Sequence, residues 1–119
     1  MRGDDLKART KSFALRIIRM VETLPRGKTA DVIGRQLLRS GTSVGANYRS
    51  ACRAKSPADF ISKMGTVEEE TDESIFWMEL LVDSGQLQER LLKDLLREAE
   101  EILAIIVSSI KTTRKTSKS

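Results

Sequence analysis

The sequence contains no histidine and only one cysteine, Cys52, among its 119 residues. Histidine is the commonest metal ligand and general base, and carboxylate-bridged di-iron bundles need a Glu-x-x-His pattern. A lone cysteine cannot form a disulfide within the chain, which fits a reducing compartment. We therefore expect a cytoplasmic protein that is not an enzyme and has no cofactor or metal, with the Cys52 thiol packed and inert.

Prolines, aromatic residues and long apolar runs are also scarce. The chain has two prolines and 4% aromatic residues, a composition that favours helices over sheets. The longest apolar run, residues 102–107, is much shorter than the roughly 20 residues of a membrane-spanning helix. The charged residues 1–10 do not have the apolar segment of a signal peptide.

Apolar residues recur at three- and four-residue spacing in four segments, which predicts four helices. The helices are expected at about residues 4–24, 29–54, 57–84 and 88–110. Because the links are short, we predict an all-α, up-down-up-down antiparallel four-helix bundle as a single domain over residues 1–110. Residues 111–119 are basic and lack apolar side chains, so they are expected to form a disordered tail, either a nucleic-acid arm or a solubilising segment.

The second predicted helix has an unusual composition, rich in glycine, serine and arginine. At 100° per residue its arginines fall on one face, opposite the apolar positions. This arginine stripe comprises Arg35, Arg39, Arg49 and Arg53. Small residues on an edge of the apolar face predict close helix packing, and we assign Gly34, Gly41, Gly45 and Asn47 to it. The alternative is a kink or break near Ser40 and Gly41.

The run SGTSVGANYRSA, followed by SPADFISKMG, resembles the bacterial four helix bundle protein family, also known as large-subunit ribosomal RNA intervening-sequence proteins. That family includes the accessory variability determinant of diversity-generating retroelements. The resemblance extends from about Phe13 to Ile110 and is most specific at Ser43, Ala46 and Asn47. It implies a homopentamer, a barrel of five bundles whose basic surfaces bind nucleic acid and protein partners in the retroelement members.

Two departures from that family pattern suggest a subfamily. Gly45 stands where many relatives have proline, and Arg49 and Ser50 replace an acid-glycine pair. Local chemistry shared by the relatives is therefore not transferred to these positions.

Charge divides the chain into two halves of opposite sign. Residues 1–55 carry thirteen Lys or Arg against four Asp or Glu, whereas residues 56–110 carry four against thirteen. The first helical hairpin is therefore basic and the second acidic. A basic face of one chain against an acidic face of the next would be a heterologous contact, which can close into a ring-like homo-oligomer.

Some apolar residues of the third and fourth helices cannot all face one core. Phe76, Trp77 and Leu80 point away from the stripe that begins at Phe60, and the last half of the fourth helix is apolar almost all round. The expected oligomer interface comprises Phe76, Trp77, Leu80, Ile105 and Val107. The alternative is scattered surface hydrophobic residues.

The exposed arginines suggest the function. They could contact phosphates, which would make the protein a homo-oligomeric scaffold or accessory protein that binds RNA, DNA or a nucleic-acid enzyme. They could instead pair with the acidic helices, which would leave a purely structural or protein-interaction module. Acidic residues between 68 and 73 could in principle bind a hard cation, but their spread around the helix favours a solvated face or partners for the arginines.

Overall fold

Four α-helices make up most of the protein in the computed structural model, which describes residues 3–117. They are α1 (Gly3–Glu22), α2 (Lys28–Cys52), α3 (Pro57–Asp83) and α4 (Glu89–Ser117). Helices α1 and α2, α2 and α3, and α3 and α4 pack together extensively, whereas α1 and α4 touch least. The result is a rod of 52 × 21 × 20 Å. It fits the predicted four-helix bundle, and residues 3–117 contain no strand.

Local signals in the links begin and end these helices. The Ser56 side chain caps α3 by accepting a hydrogen bond from the Asp59 amide at 3.0 Å, with Pro57 at the first helical position. Gly27 and Gly85 lie at φ 150° and 78°, in backbone regions that favour glycine. Each of these residues directs the chain into an antiparallel helix.

The core is a continuous apolar column along the axis of the rod. Its large, fully buried side chains include Phe13, Ile17, Leu37, Met64, Met78, Leu81, Leu92, Ile102 and Ile106. Between α2 and α3 the column is interrupted by two serines, Ser40 and Ser74, whose hydroxyl oxygens lie 3.0 Å apart. Both are fully buried, and they also bond to carbonyls of their own helices. No described helix is long and apolar enough to cross a membrane.

Glycines form the surface of α2 that packs against α1. A Cβ atom at Gly41 would lie 2.8 Å from Ile17 Cγ1, and one at Gly34 would lie 2.9 Å from Leu24 Cδ1. Helix α2 is continuous through this surface, so it does not break near Gly41. At Gly45 the Cβ position would be 3.3 Å from the hydroxyl of a buried threonine on α1. We call this contact the glycine seam.

The Asn47 side chain bonds within its own helix. Its Nδ2 donates a hydrogen bond of 2.9 Å to the Ser43 carbonyl within α2.

The C-terminal segment is helical where the sequence predicted disorder. Helix α4 continues to Ser117, so the prediction of a disordered tail is wrong for residues 111–117, while Lys118 and Ser119 lie outside the described residues. Buried Ile110 anchors the helix just before this segment. Basic residues in the last turn also complement the negative end of the helix dipole. The lack of apolar residues in this segment therefore reflects its exposure to solvent and does not mean that it is unfolded.

Candidate functional site

All four residues of the arginine stripe are exposed, but they lie in three different environments. Arg39 is held by α3: its Nη1 lies 3.2 Å from Glu70 Oε2, and its Nη2 contacts Glu73. Arg35 lies on the surface next to the link between α1 and α2. Arg49 and Arg53 lie at the other end of the rod. The acidic residues of α3 therefore provide partners for one arginine of the stripe.

The fold brings a second set of cations to Arg49 and Arg53. Because helices alternate in direction, α2 and α4 end at the same end of the rod, and Tyr48 lines a groove with Ser109 and Thr113. Exposed cations from α2, the following link and the last turns of α4 thus form what we call the basic end. It comprises Arg49, Arg53, Lys55, Lys111, Arg114 and Lys115. Within residues 3–117 none of these six side chains forms an ion pair.

The acids near the basic end are few. Asp59 is engaged by the Lys55 amide and the Lys63 ammonium, both at 3.0 Å, and these bonds lower the pKa of its carboxyl. Asp4 and Asp5 lie in the first turn of α1, where the helix dipole favours them. The basic end therefore has a clear excess of positive charge.

Positive charge continues from the basic end along the groove between α1 and α2. Lys7, Lys11 and Arg49 line a depression of about 210 Å³. Its other walls are small side chains, including Ala14 and Ala46. A shallow floor between cations can admit a phosphate backbone without steric obstruction.

A bidentate ion pair joins α1 to α4, which have the least contact of the four contacting helix pairs among the described residues. Arg9 Nε and Nη2 donate to the two Glu98 carboxylate oxygens, each at 2.7 Å, and Nη2 also donates to Glu101 at 2.8 Å. The hydrogen bonds from Arg9 hold the pKa of Glu98 below its ordinary value. Sequence reasoning missed this pair, because its members are separated by 89 residues and no local pattern relates them.

Acid is expected to weaken this ion pair. Because the pKa of Glu98 is lower in the folded protein, the folded state binds fewer protons, and the stabilisation is complete above the ordinary glutamate pKa of about 4.3. It is lost as pH falls through the lower, folded pKa. Glu98→Gln should reduce the free energy of unfolding by about 1 kcal/mol at pH 7, and this difference should shrink towards pH 3. Urea unfolding followed by circular dichroism measures both.

The matched control for this prediction is Glu100→Gln, an exposed carboxylate on the same helix with no ion pair in the described structure. It should change stability by less than about 0.5 kcal/mol. A Glu98→Gln deficit that is as large at pH 3 as at pH 7 would contradict the assigned role of the carboxylate.

The residues predicted to form an oligomer interface lie on α3 and α4, which pack against each other. Phe76 is 51% exposed, with its ring centroid 5.1 Å from that of Trp77, and Leu80 is half-buried one turn later. Trp77 Nε1 donates to Glu73 at 2.9 Å. Ile105 and Val107 line two adjoining grooves on α4, which share Ala104 and Ser108. The helical periodicity of a sequence shows that a residue faces away from the core. It does not show which residues of a neighbouring helix lie beside it.

Cys52 is exposed, so the prediction of a packed thiol is wrong. It is the last residue of α2. The described part of α1 begins level with Tyr48, whose hydroxyl lies 3.5 Å from the Cβ position of Gly3. Cys52 therefore lies one turn beyond the start of α1 and is not covered by it.

These features can be compared with known proteins. Residues 5–108 match the family model described as 23S rRNA-intervening sequence protein. The chain belongs to this family. The resemblance seen in the sequence is thereby confirmed.

One solved structure has the same fold over nearly its whole length. It is a protein with unknown function from the S23 ribosomal protein family of Bacteroides thetaiotaomicron VPI-5482. It is 34% identical, with a TM-score of 0.86, and the match covers 93% of this chain and 99% of that chain. A comparison with curated proteins found no match.

The residues that carry the intervening-sequence resemblance shape the surface of α2. Ser43 Oγ donates to the Arg39 carbonyl at 2.6 Å, and Asn47 donates to Ser43 in turn. Ala46 lines the depression beside the lysines of α1. Short side chains that bond to their own helix leave the cations around them accessible. Within residues 3–117, no group of three His, Cys, Asp or Glu side chains could hold a metal ion.

Proposed function

We propose that this protein is a non-enzymatic, cytoplasmic homo-oligomer that serves as a scaffold or accessory protein and binds nucleic acid through its basic end. The observation that carries the proposal is the set of exposed cations contributed by α2, the following link and α4, which form no ion pair within residues 3–117. Cations grouped in this way release counterions when they contact phosphates, which drives association with nucleic acid. The family resemblance supports a pentamer as the oligomer.

The chemistry of the basic end favours recognition of the phosphate backbone over recognition of bases. Arginine donates in a planar fork that matches phosphate oxygens, and lysine acts as a point charge. Stacking on bases needs exposed aromatic rings, whereas Tyr48, the aromatic residue of α2, is 6% exposed, and Phe60 in the first turn of α3 is only partly exposed. We therefore expect binding with little sequence preference. An enzyme that handles nucleic acid could be held on the same bound strand.

Salt titration tests the proposal directly. Fluorescence anisotropy with a labelled single-stranded RNA and a DNA duplex should show affinity that falls steeply with salt. For about six phosphate contacts the loss is about 10³-fold between 50 and 200 mM salt. Arg53→Gln/Arg114→Gln removes two contacts and should reduce the slope of log affinity against log salt by about 1.5.

The matched control is Arg90→Gln/Arg97→Gln, which removes the same charge from exposed positions of α4 outside the basic end. It should leave the salt slope nearly unchanged. If the two double variants lose affinity equally, binding depends on the net charge of the protein and not on the basic end. Absence of binding by the wild-type protein at 50 mM salt would reject the nucleic-acid role and leave a structural or protein-interaction module.

A further inference from the structure

A groove with both apolar and charged lining lies between α1 and α2, beside the link that joins them. Its volume is about 330 Å³. The apolar lining consists of Val21, Leu24, Pro25, Ala30, Gly34 and Leu38. Gly34 contributes no side chain to the groove, and a Cβ there would lie 2.9 Å from Leu24 Cδ1. We call it the hairpin groove.

The most exposed aromatic side chain of the described structure lies on a different helix. Phe76 projects from α3 and is 51% exposed, although it is as large as the residues that fill the core. One turn before and after it, Asp72 and Glu79 are also exposed. Phe76 is therefore an apolar projection flanked by acids on the acidic half of the chain.

The hairpin groove and the Phe76 projection are complementary in size and charge. An apolar cavity of about 150 Å³ accommodates a benzene ring, so 330 Å³ is sufficient for a phenyl side chain. Arg26 and Arg35 border the groove and outnumber Asp31, its one acid. The arginines would thus face carboxylates beside the inserted ring.

Phe76 does not occupy the groove of its own chain. The groove is lined by residues of α1, α2 and the link between them, and Phe76 on α3 is not among them. The groove is therefore open to a side chain of another molecule.

We propose that Phe76 of one copy inserts into the hairpin groove of a second copy, with Arg35 facing Asp72 and Glu79 across the contact. The inference rests on the homo-oligomer of the proposed function and assigns its interface. The two surfaces are different, so the contact is heterologous, and repetition of the same step closes a ring. The basic end takes no part in the contact and stays free for nucleic acid.

Complementation between two defective variants tests the contact. Phe76→Asp destroys the projection and leaves the groove intact, whereas Leu38→Asp destroys the groove and leaves the projection intact. Leu38 and Phe76 are 36% and 51% exposed, so both variants should fold, which circular dichroism confirms. In light scattering each variant alone should have the 13.3 kDa mass of a monomer. Their equimolar mixture should form a 1:1 dimer, because one functional pair remains.

Leu91→Asp is the control, since Leu91 is 55% exposed on α4 and lies outside both surfaces. It should keep the wild-type mass. If the Phe76→Asp variant still forms the wild-type oligomer, or if the mixture of the two variants stays monomeric, the assigned interface is wrong. Either result would leave the proposal of a homo-oligomer unaffected. A monomeric wild-type protein would overturn the oligomer as well, while the salt titration decides nucleic-acid binding independently.

Discussion

Phe13→Ala is expected to lower the free energy of unfolding by about 3–5 kcal/mol. Phe13 is 0% exposed and belongs to the apolar column that all four helices share. Its truncation removes apolar burial and leaves a cavity that helices on every side would have to move to fill. Small domains are stable by only about 5–15 kcal/mol, so this substitution would consume a large part of the total. Denaturant unfolding at fixed protein concentration gives the value.

Leu15→Ala is the control for this prediction, two residues away on the same helix. Leu15 is 42% exposed, and its truncation should change stability by no more than about 0.5 kcal/mol. A loss below about 1 kcal/mol for Phe13→Ala would mean that the column around Phe13 is loosely packed.

Gly41→Leu is expected to destabilise the protein by about 3 kcal/mol through overpacking of the glycine seam. A Cβ at Gly41 would lie 2.8 and 2.9 Å from the two γ carbons of Ile17, which is itself fully buried. Neither the new leucine side chain nor that of Ile17 can rotate out of this contact, so α1 and α2 must move apart. Alanine at this position should also destabilise, although it improves helix propensity by about 1 kcal/mol.

Gly65→Ala is expected to stabilise the protein, in contrast to substitution of Gly41. Nothing lies within 4 Å of a Cβ at Gly65 in α3, so the gain in helix propensity should appear as up to about 1 kcal/mol of added stability. If alanine stabilises at both glycines, close packing is not the reason for Gly41. Urea unfolding of the two alanine variants side by side measures the sign of each change.

The helices could be predicted from the sequence because each depends on local chemistry. Apolar spacing marked all four, and Ser56 and Pro57 marked the start of α3, where the structure shows the cap. The small residues on the buried edge of α2 also predicted a close neighbour, which is α1 at Gly41. These features follow from the period of a single helix.

What could not be predicted depends on how helices lie relative to one another. Arg9 and Glu98 meet only because α1 and α4 are adjacent in the closed bundle. The arginine stripe was correctly placed on an exposed face, but only the neighbouring helices show that Arg39 is engaged by Glu73. The basic end likewise required knowing that α4 continues as a helix to Ser117, at the same end of the rod as the end of α2.

The rod shape of the bundle has a consequence for valency. The long axis is 52 Å, about two and a half times either width. Cyclic symmetry gives every subunit the same orientation relative to the ring axis. In a ring of rods standing parallel to that axis, all basic ends would line one rim. A single nucleic-acid strand could then engage several subunits at once, and its avidity would exceed the affinity of any one subunit.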